Sequence, residues 1–520
     1  MLKNLFATHP IQASPHVDAG ELPHDTLHGE ASLKRVLTAR HLIMLGIGAV
    51  IGAGIFVITG QAAAEHAGPA LIISFIVAGI ACAFAGLCYA EFAAMIPVSG
   101  SAYAYSYATL GEIVAWFIGW NLVLEYLFAV ATVAAGWSGY FNECLSILSH
   151  WTGLSLSLPE SLASAPLAFM DGNQIEHLKA GQQVIAKFSE HFYLVSTNTI
   201  INLPAILIVT ALTMLCYRGI TQSTFVNSII VAIKVIVILL FLVFAFRFID
   251  PSNWHPFIPP EEGPGRFGTS GIFRAAVLVF FSYVGFDAVS TAAGEAKNPQ
   301  RDMPIGILGS LFICTILYIA MALTLTGIAP YKMLGTPEPV ATALSIHPEL
   351  NWLKAIVSFG ALAGLSSVIL VMLLGTSRIF FSMAKDGLLG KGISRVHAKH
   401  RTPHVATIIA GVSALVLAGL FPVSILGELV SMGTLLAFTT VCIGVLILRY
   451  TRPELPRSFR VPGGMAGVWT VAVLGSVICL YLFWQSFRAN WPLMVGWTAF
   501  GMLIYAFYGY SHSKLRKQNS

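Results

Sequence analysis

Two apolar stretches of this sequence are interrupted in a way that an ordinary hydrophobic segment is not. The first reads Gly46-Ile47-Gly48-Ala49-Val50-Ile51-Gly52-Ala53-Gly54-Ile55-Phe56, and the second Phe280-Phe281-Ser282-Tyr283-Val284-Gly285-Phe286-Asp287. A glycine in a helix interior costs about 1 kcal/mol relative to alanine. Repeated glycines therefore free the backbone to leave helical geometry. An unwound turn exposes N–H groups at the start of one half-helix and carbonyls at the end of the other. Those N–H groups, with the positive end of the helix dipole, hold a carboxylate, and the carbonyls hold an ammonium. A zwitterion is then bound almost wholly by backbone, with apolar side chains left to receive the rest of it. The breaks are expected near Gly52 to Gly54 and near Ser282 to Gly285. Glycines four apart also make a packing face between helices. That reading accounts for Gly48 and Gly52 but not for Gly54 or Asp287.

Lys234 is the next signal, in the middle of Val231-Ala232-Ile233-Lys234-Val235-Ile236-Val237. An unpaired ammonium at that depth is costly, so it must find partners or give up its proton. A structural cation tied to carbonyls and a proton-coupling lysine both fit. Glu125 and Asp287 are the other deep ionisable groups, each either a proton carrier or hydrogen-bonded structure. Glu91, Glu112 and Glu143 stand nearer the ends of their runs and are expected at the interface. Other chemistries find no support. The seven cysteines form no CxxC pair, which argues against a zinc or redox motif. There is no GxSxG, HExxH, P-loop or dinucleotide fingerprint, so no metal, no cofactor beyond a coupling proton, no enzyme activity and no ATP-driven step are expected. Basic segments are short and scattered, unlike a nucleic-acid surface.

These residues must be held by membrane helices. The chain is 56% hydrophobic and 10% charged, against about 25% charged in soluble domains. Apolar runs near the length of about 20 residues that a bilayer needs recur at 42–66, 69–95, 113–146, 199–217, 222–247, 268–292, 303–328, 350–383, 404–421, 425–449, 466–487 and 491–510, an all-α polytopic membrane protein of about twelve spans. Breakers separate them, among them Pro97 to Gly100, Pro251 to Gly265 and Pro453 to Gly464. With the N-terminus cytoplasmic, twenty of the 29 Lys and Arg residues fall on the inner side, eight on the outer side, and Lys234 in mid-span. That excess orients the chain with both termini inside. The N-terminal tail, rich in Pro, His, Asp and Gly, has no signal-peptide core and is expected to be disordered. One long polar loop, 150–198, lies outside, and its apolar positions Val184, Ile185 and Phe188 are expected to form a surface helix.

Several longer motifs carry a family resemblance. They are GIGAVIGAGIF from Gly46, AEHAGPA from Ala64, YAEFAAMIPVSGSAYAYSYATLGE from Tyr89, VAIKV from Val231, FFSYVGFDAVSTAAGEAKNPQRDMPIGI from Phe280 and SRIFFSMAKDGLLGKGISRVHAKHRTPHVA from Ser377. Over about residues 30–510 the chain resembles the amino acid–polyamine–organocation (APC) superfamily, and within it the bacterial amino acid permeases similar to cationic amino acid transporters. The resemblance implies a LeuT-like fold of two inverted five-helix repeats plus two further helices, with spans 1 and 6 broken. The organisation is then a cytoplasmic tail at 1–41, a first repeat at 42–247 that includes the 150–198 loop, a second repeat at 268–449, two additional helices at 466–510 and a tail at 511–520. It places substrate contacts at Val50, Ile51, Ala53, Gly54, Phe281, Ser282 and Val284, with Phe281 also a lid and Gly52 and Gly285 at the helix breaks. Lys234 takes the place of a sodium ion, which implies proton coupling. The expected function is proton-coupled import of small to medium neutral L-amino acids across a bacterial inner membrane, because Ile51, Phe281, Val284 and Met372 are apolar. An exchanger of cationic amino acids or polyamines and a non-transporting amino-acid sensor are the alternatives. The expected partners are the amino acid and the lipid bilayer, with a small membrane subunit and a lipid or sterol contact left open. Two departures from the family pattern stand out: Gly390 where a proline is usual, and the length of the 150–198 loop.

Overall fold

The first helix, α1 (Ala39–Val50), stops because Ile51 turns extended (φ −73°, ψ 100°) and Gly52 follows it out of the helix. The structure, a computed structural model, describes residues 37–95, 101–170, 182–189, 192–218, 224–291, 296–400, 402–455 and 457–519. Most of the expected N-terminal tail, the Pro97 to Gly100 breaker and residues 171–181 of the long loop lie outside the described residues. The chain resumes helical geometry at Ala53, through π-helical stretches Gly54–Ile58 and Ala63–Ala67, turns at Gly68, and enters α2 (Leu71–Met95). After the short α3 (Ser101–Thr109), α4 (Glu112–Thr152) runs for 41 residues between two glycines of positive φ, Gly111 and Gly153, the latter a left-handed C-cap.

Next come α5 (Leu203–Arg218), α6 (Thr224–Ala245) and α7 (Gly268–Phe280). The one-turn α8 (Ala288–Thr291) precedes α9 (Pro299–Ile328), which carries proline at its first position, where the missing N–H costs nothing. The roof helix α10 (Pro339–Ser345), α11 (Asn351–Lys385), α12 (His404–Leu420) and α13 (Val423–Thr451) follow. The run α14 (Gly464–Ile504) leaves helical geometry at Asn490 (φ −114°, ψ 17°).

Among the described residues eight helices are long and apolar enough to cross a membrane, and four shorter apolar helices accompany them: Ala39–Val50, Leu203–Arg218, Gly268–Tyr283 and His404–Leu420. Two of the shorter four are the halves that end at the breaks. Helices α1, α2, α7 and α9 pack on one another as one group; α4, α5, α11 and α12 form a second; α6 lies against α1, α9 and α11, and α13 against α2, α4 and α14. Apolar side chains such as Ile236, Val243, Phe312 and Phe507 remain outside this packing, as a surface facing lipid requires.

The long loop departs from its expected form. Val184, Ile185 and Phe188 belong to a strand, not a surface helix. Strands β1 (Leu167–Met170), β2 (Gln183–Ser189) and β3 (Phe192–Ser196) make an antiparallel sheet in the order β1-β3-β2. A helix of one or two turns is marginal in water, whereas β3 offers β2 a backbone partner along its length, from Gln183 opposite Ser196 to Ser189 opposite Phe192. Glu91 and Glu112, expected near the ends of their spans, find cations within the fold. Both are buried and ion-paired: Glu91 with Arg449 at 2.7 Å and Arg457 at 3.4 Å, and Glu112 with Arg516 at 3.0 Å.

Candidate functional site

The two interruptions meet. The second one begins as a single 3-10 turn, Phe281–Tyr283, after which Val284 is extended and Gly285 takes φ 114°, a conformation that glycine alone adopts cheaply. A Cβ on Gly54 would lie 2.4 Å from the Cα of Ser282, and one on Gly285 would lie 3.0 Å from the Ala49 carbonyl. The glycines therefore let the two unwound backbones touch, each break closing over the other.

The carbonyls released at the end of α1 are occupied from neighbouring helices. The Lys234 ammonium, fully buried on α6, donates to the carbonyls of Gly48 at 2.8 Å and Ile51 at 3.0 Å. The Tyr318 hydroxyl on α9 lies 2.8 Å from the Val50 carbonyl and 2.6 Å from the Ser282 carbonyl, so one phenol bridges both breaks. On the other side of the first break, Thr59 donates to the Gly54 carbonyl at 2.8 Å and Tyr140 to the Phe56 carbonyl at 2.7 Å. Asp287 braces the second break. It accepts the Gly285 N–H at 3.2 Å and the Tyr126 hydroxyl at 2.7 Å. Glu125, next to Tyr126, is fully buried, and among the described residues neither carboxyl oxygen has a hydrogen-bond partner; the nearby Thr434 hydroxyl donates to the Val430 carbonyl.

Between the breaks lies a narrow cavity of about 10 Å³, lined by Ala49, Val50 and Gly52 to Gly54 on one side, by Phe281 and Val284 on another, and by Ala129, Val133, Val368 and Met372 from α4 and α11. Every lining residue is apolar. Small-molecule sites usually begin at roughly 300 Å³, so these walls must part to admit a ligand. At the start of the resumed helix the first N–H groups have no intrahelical acceptor, and they belong to residues that border this space. Phe281 is 6% exposed and forms part of its wall, and the Ser282 hydroxyl is buried without a partner. A larger apolar cavity, about 340 Å³, opens on another face of α4 beside Leu124 and Phe128. It has no charged lining side chain and none of its lining residues belongs to the breaks.

Of the residues singled out from sequence, Val50, Gly52, Ala53, Gly54, Phe281 and Val284 line the central cavity; Met372 joins them from α11. Ile51 is buried beside it and gives its carbonyl to Lys234. Ser282 and Gly285 sit in the second break, and Asp287 and Glu125 lie behind the wall. Sequence reasoning missed Tyr318, Ala129, Val133 and Val368. Tyr318 alone carried a signal: a phenol in mid-span needs a hydrogen-bond partner.

Residues 37–511 match the family model described as amino acid permease. The chain is 44% identical to the branched-chain amino acid permease BcaP of Bacillus subtilis, covering 94% of this chain and 96% of that one. It is 43% identical to the methylthioribose transporter of the same organism, covering 95% and 98%. It is 37% identical to cationic amino acid transporter 2, vacuolar, of Arabidopsis thaliana, covering 83% of this chain and 63% of that protein.

Proposed function

The chain belongs to the amino acid permease family, a multi-pass membrane transporter and not an enzyme, and from that premise we propose that it imports small to medium neutral L-amino acids by proton-coupled alternating access. The observation that carries this reading is the meeting of two broken helices around a narrow cavity with no charged side chain in its lining. The half-helix N–H groups would hold the substrate carboxylate and the carbonyls of the breaks its ammonium. The side chain would lie against Ala129, Val133, Val368 and Met372. A cationic side chain there would lose its water without gaining a partner. The hydroxyls of a thioribose would meet the same apolar wall, with Ser282 the one nearby buried hydroxyl without a partner, so an amino acid fits better.

The wider arrangement is proposed with it. The two helix groups draw spans 1, 2, 6 and 7 together and spans 3, 4, 8 and 9 together. Such pairing supports a LeuT-like 5+5 repeat with two added helices, in which one group rocks against the other. The excess of Lys and Arg on one side supports cytoplasmic termini in a bacterial inner membrane, with the β-sheet outside. Lys234 would serve as the proton-responsive tie between α6 and the first break.

Uptake of labelled leucine and alanine into proteoliposomes, with and without an inward proton gradient, tests the whole. Accumulation should require the gradient and should be competed by neutral amino acids. Better competition by arginine or a polyamine would reverse the substrate assignment. Binding without uptake would make the protein a sensor, and accumulation indifferent to the gradient would remove the proton.

A further inference from the structure

The chain between α9 and α11 forms a roof over the first break. It makes one 3-10 turn, Tyr331–Leu334, and then α10. A Cβ on Gly60 would lie 2.1 Å from Pro339, and one on Gly139 of α4 would lie 2.5 Å from Glu338 Oε2 and 2.6 Å from Pro337. The roof is therefore wedged against both the resumed first span and α4. Tyr140, beside Gly139, holds the Phe56 carbonyl at 2.7 Å, so this contact stands two residues above Gly54.

Glu338 is the acid at that wedge. The titratable and charged groups facing it are Tyr140 and Glu143 on α4 and Lys354 at the start of α11. Lys354 is already engaged: its ammonium lies 2.6 Å from Glu143 Oε1 and 3.0 Å from the Ser345 hydroxyl. Glu338 thus docks beside a second carboxylate with no cation of its own. An ionised carboxylate in such a place is repelled and short of water, while a neutral one packs without penalty.

We propose that Glu338 is the proton-binding latch of this roof: closure over the site takes up one proton from the outer solution at the Glu338 carboxyl, and opening returns it. Burial and the neighbouring Glu143 push this carboxyl from 4.5 up to about 7 in the closed arrangement. The closed roof therefore binds the proton more tightly than an open, hydrated one. Closure is fully favoured below the ordinary carboxylate range and is lost as pH rises through about 7. The proposal rests on the transport reading only for which face is outer.

The test uses two spin labels on exposed positions, Met333 in the roof and Trp151 at the end of α4, each replaced by cysteine; the cysteines of the described residues are buried. Distance distributions are measured on the purified full chain at about pH 5 and about pH 8.5, on either side of the titration. A single short distance in acid should gain a longer population in base, the closed-to-open ratio changing by about two orders of magnitude. Glu338→Gln should stay short at both pH values, and Glu338→Asp should keep the response. Glu143→Gln, which removes the repulsion and frees Lys354, should hold the roof shut at the higher pH. A distribution indifferent to pH in the parent, or a Glu338→Gln protein that opens like the parent, would overturn the latch. No substrate is involved, so failed uptake by the parent would sink the transport reading without touching this result.

Discussion

Replacing Lys234 by methionine removes the charge and keeps most of the side-chain volume. The ammonium makes two hydrogen bonds, to the carbonyls of Gly48 and Ile51. A hydrogen bond to a charged group contributes about 1.5–3 kcal/mol, so the tie between α6 and the first break amounts to about 3–6 kcal/mol. One factor of ten is about 1.4 kcal/mol, and the tied state should lose about two to four orders of magnitude of population relative to an untied one. If Lys234 couples proton movement to access, the variant should bind substrate nearly as the parent does and lose gradient-driven accumulation. If it is only a brace, binding and melting temperature should fall together, because two buried carbonyls are left without donors. Binding, melting temperature and gradient-driven uptake are to be measured on one preparation. Normal accumulation by Lys234→Met would refute both the size of the tie and its place in transport, and would move the search to Glu125 and Asp287.

Gly54→Ala should destabilise the protein by about 1–3 kcal/mol, as overpacking does, because its methyl would meet the Ser282 backbone; calorimetry and substrate titration check it. Gly52→Ala should cost much less, since its methyl meets only the movable side chain of Val368 at 3.1 Å; equal losses in the two variants would contradict the interlocked breaks. Arg516→Ala leaves the buried Glu112 without its cation and should cost about 3–5 kcal/mol, read as a lower melting temperature. Arginine should compete for leucine uptake at least about tenfold more weakly than alanine does, the smallest discrimination expected from an unpaired charge in an apolar pocket.

Sequence carries the interruptions but not their exact residues. The first helix ends at Val50 and the chain is helical again from Ala53. The glycine run marks a neighbourhood, because any of its glycines tolerates the turn; which of them faces the second break is set by packing, with Gly54 against Ser282. Long apolar runs translate readily into helices because lipid allows little else. The 183–189 strand did not, since a polar loop outside the bilayer is free to choose and its partner strand lies in another segment. The far wall of the cavity was illegible for a related reason. Ala129, Val133 and Val368 are ordinary apolar residues in ordinary spans, and only the approach of α4 and α11 gives them a role. The cations of Glu91 and Glu112 were equally out of view, since Arg449 and Arg516 lie hundreds of residues along the chain.

The two breaks are tied together by side chains from neighbouring helices. Four carbonyls that the breaks release, those of Gly48, Val50, Ile51 and Ser282, are held by Lys234 and Tyr318. A lysine ammonium has three protons to give, enough for its two acceptors. A phenol has one, and Tyr318 stands between two carbonyls on different helices. One phenol proton cannot fill both acceptors at once, and of the two residues Val50 lines the cavity. A substrate ammonium would complete that acceptor, while its carboxylate would meet N–H groups at the start of the resumed helix. The zwitterion would then add a link between two breaks that Tyr318 already bridges. Binding energy of that kind appears only when the breaks are brought together, so it goes into closing the site more than into adhesion to an open one.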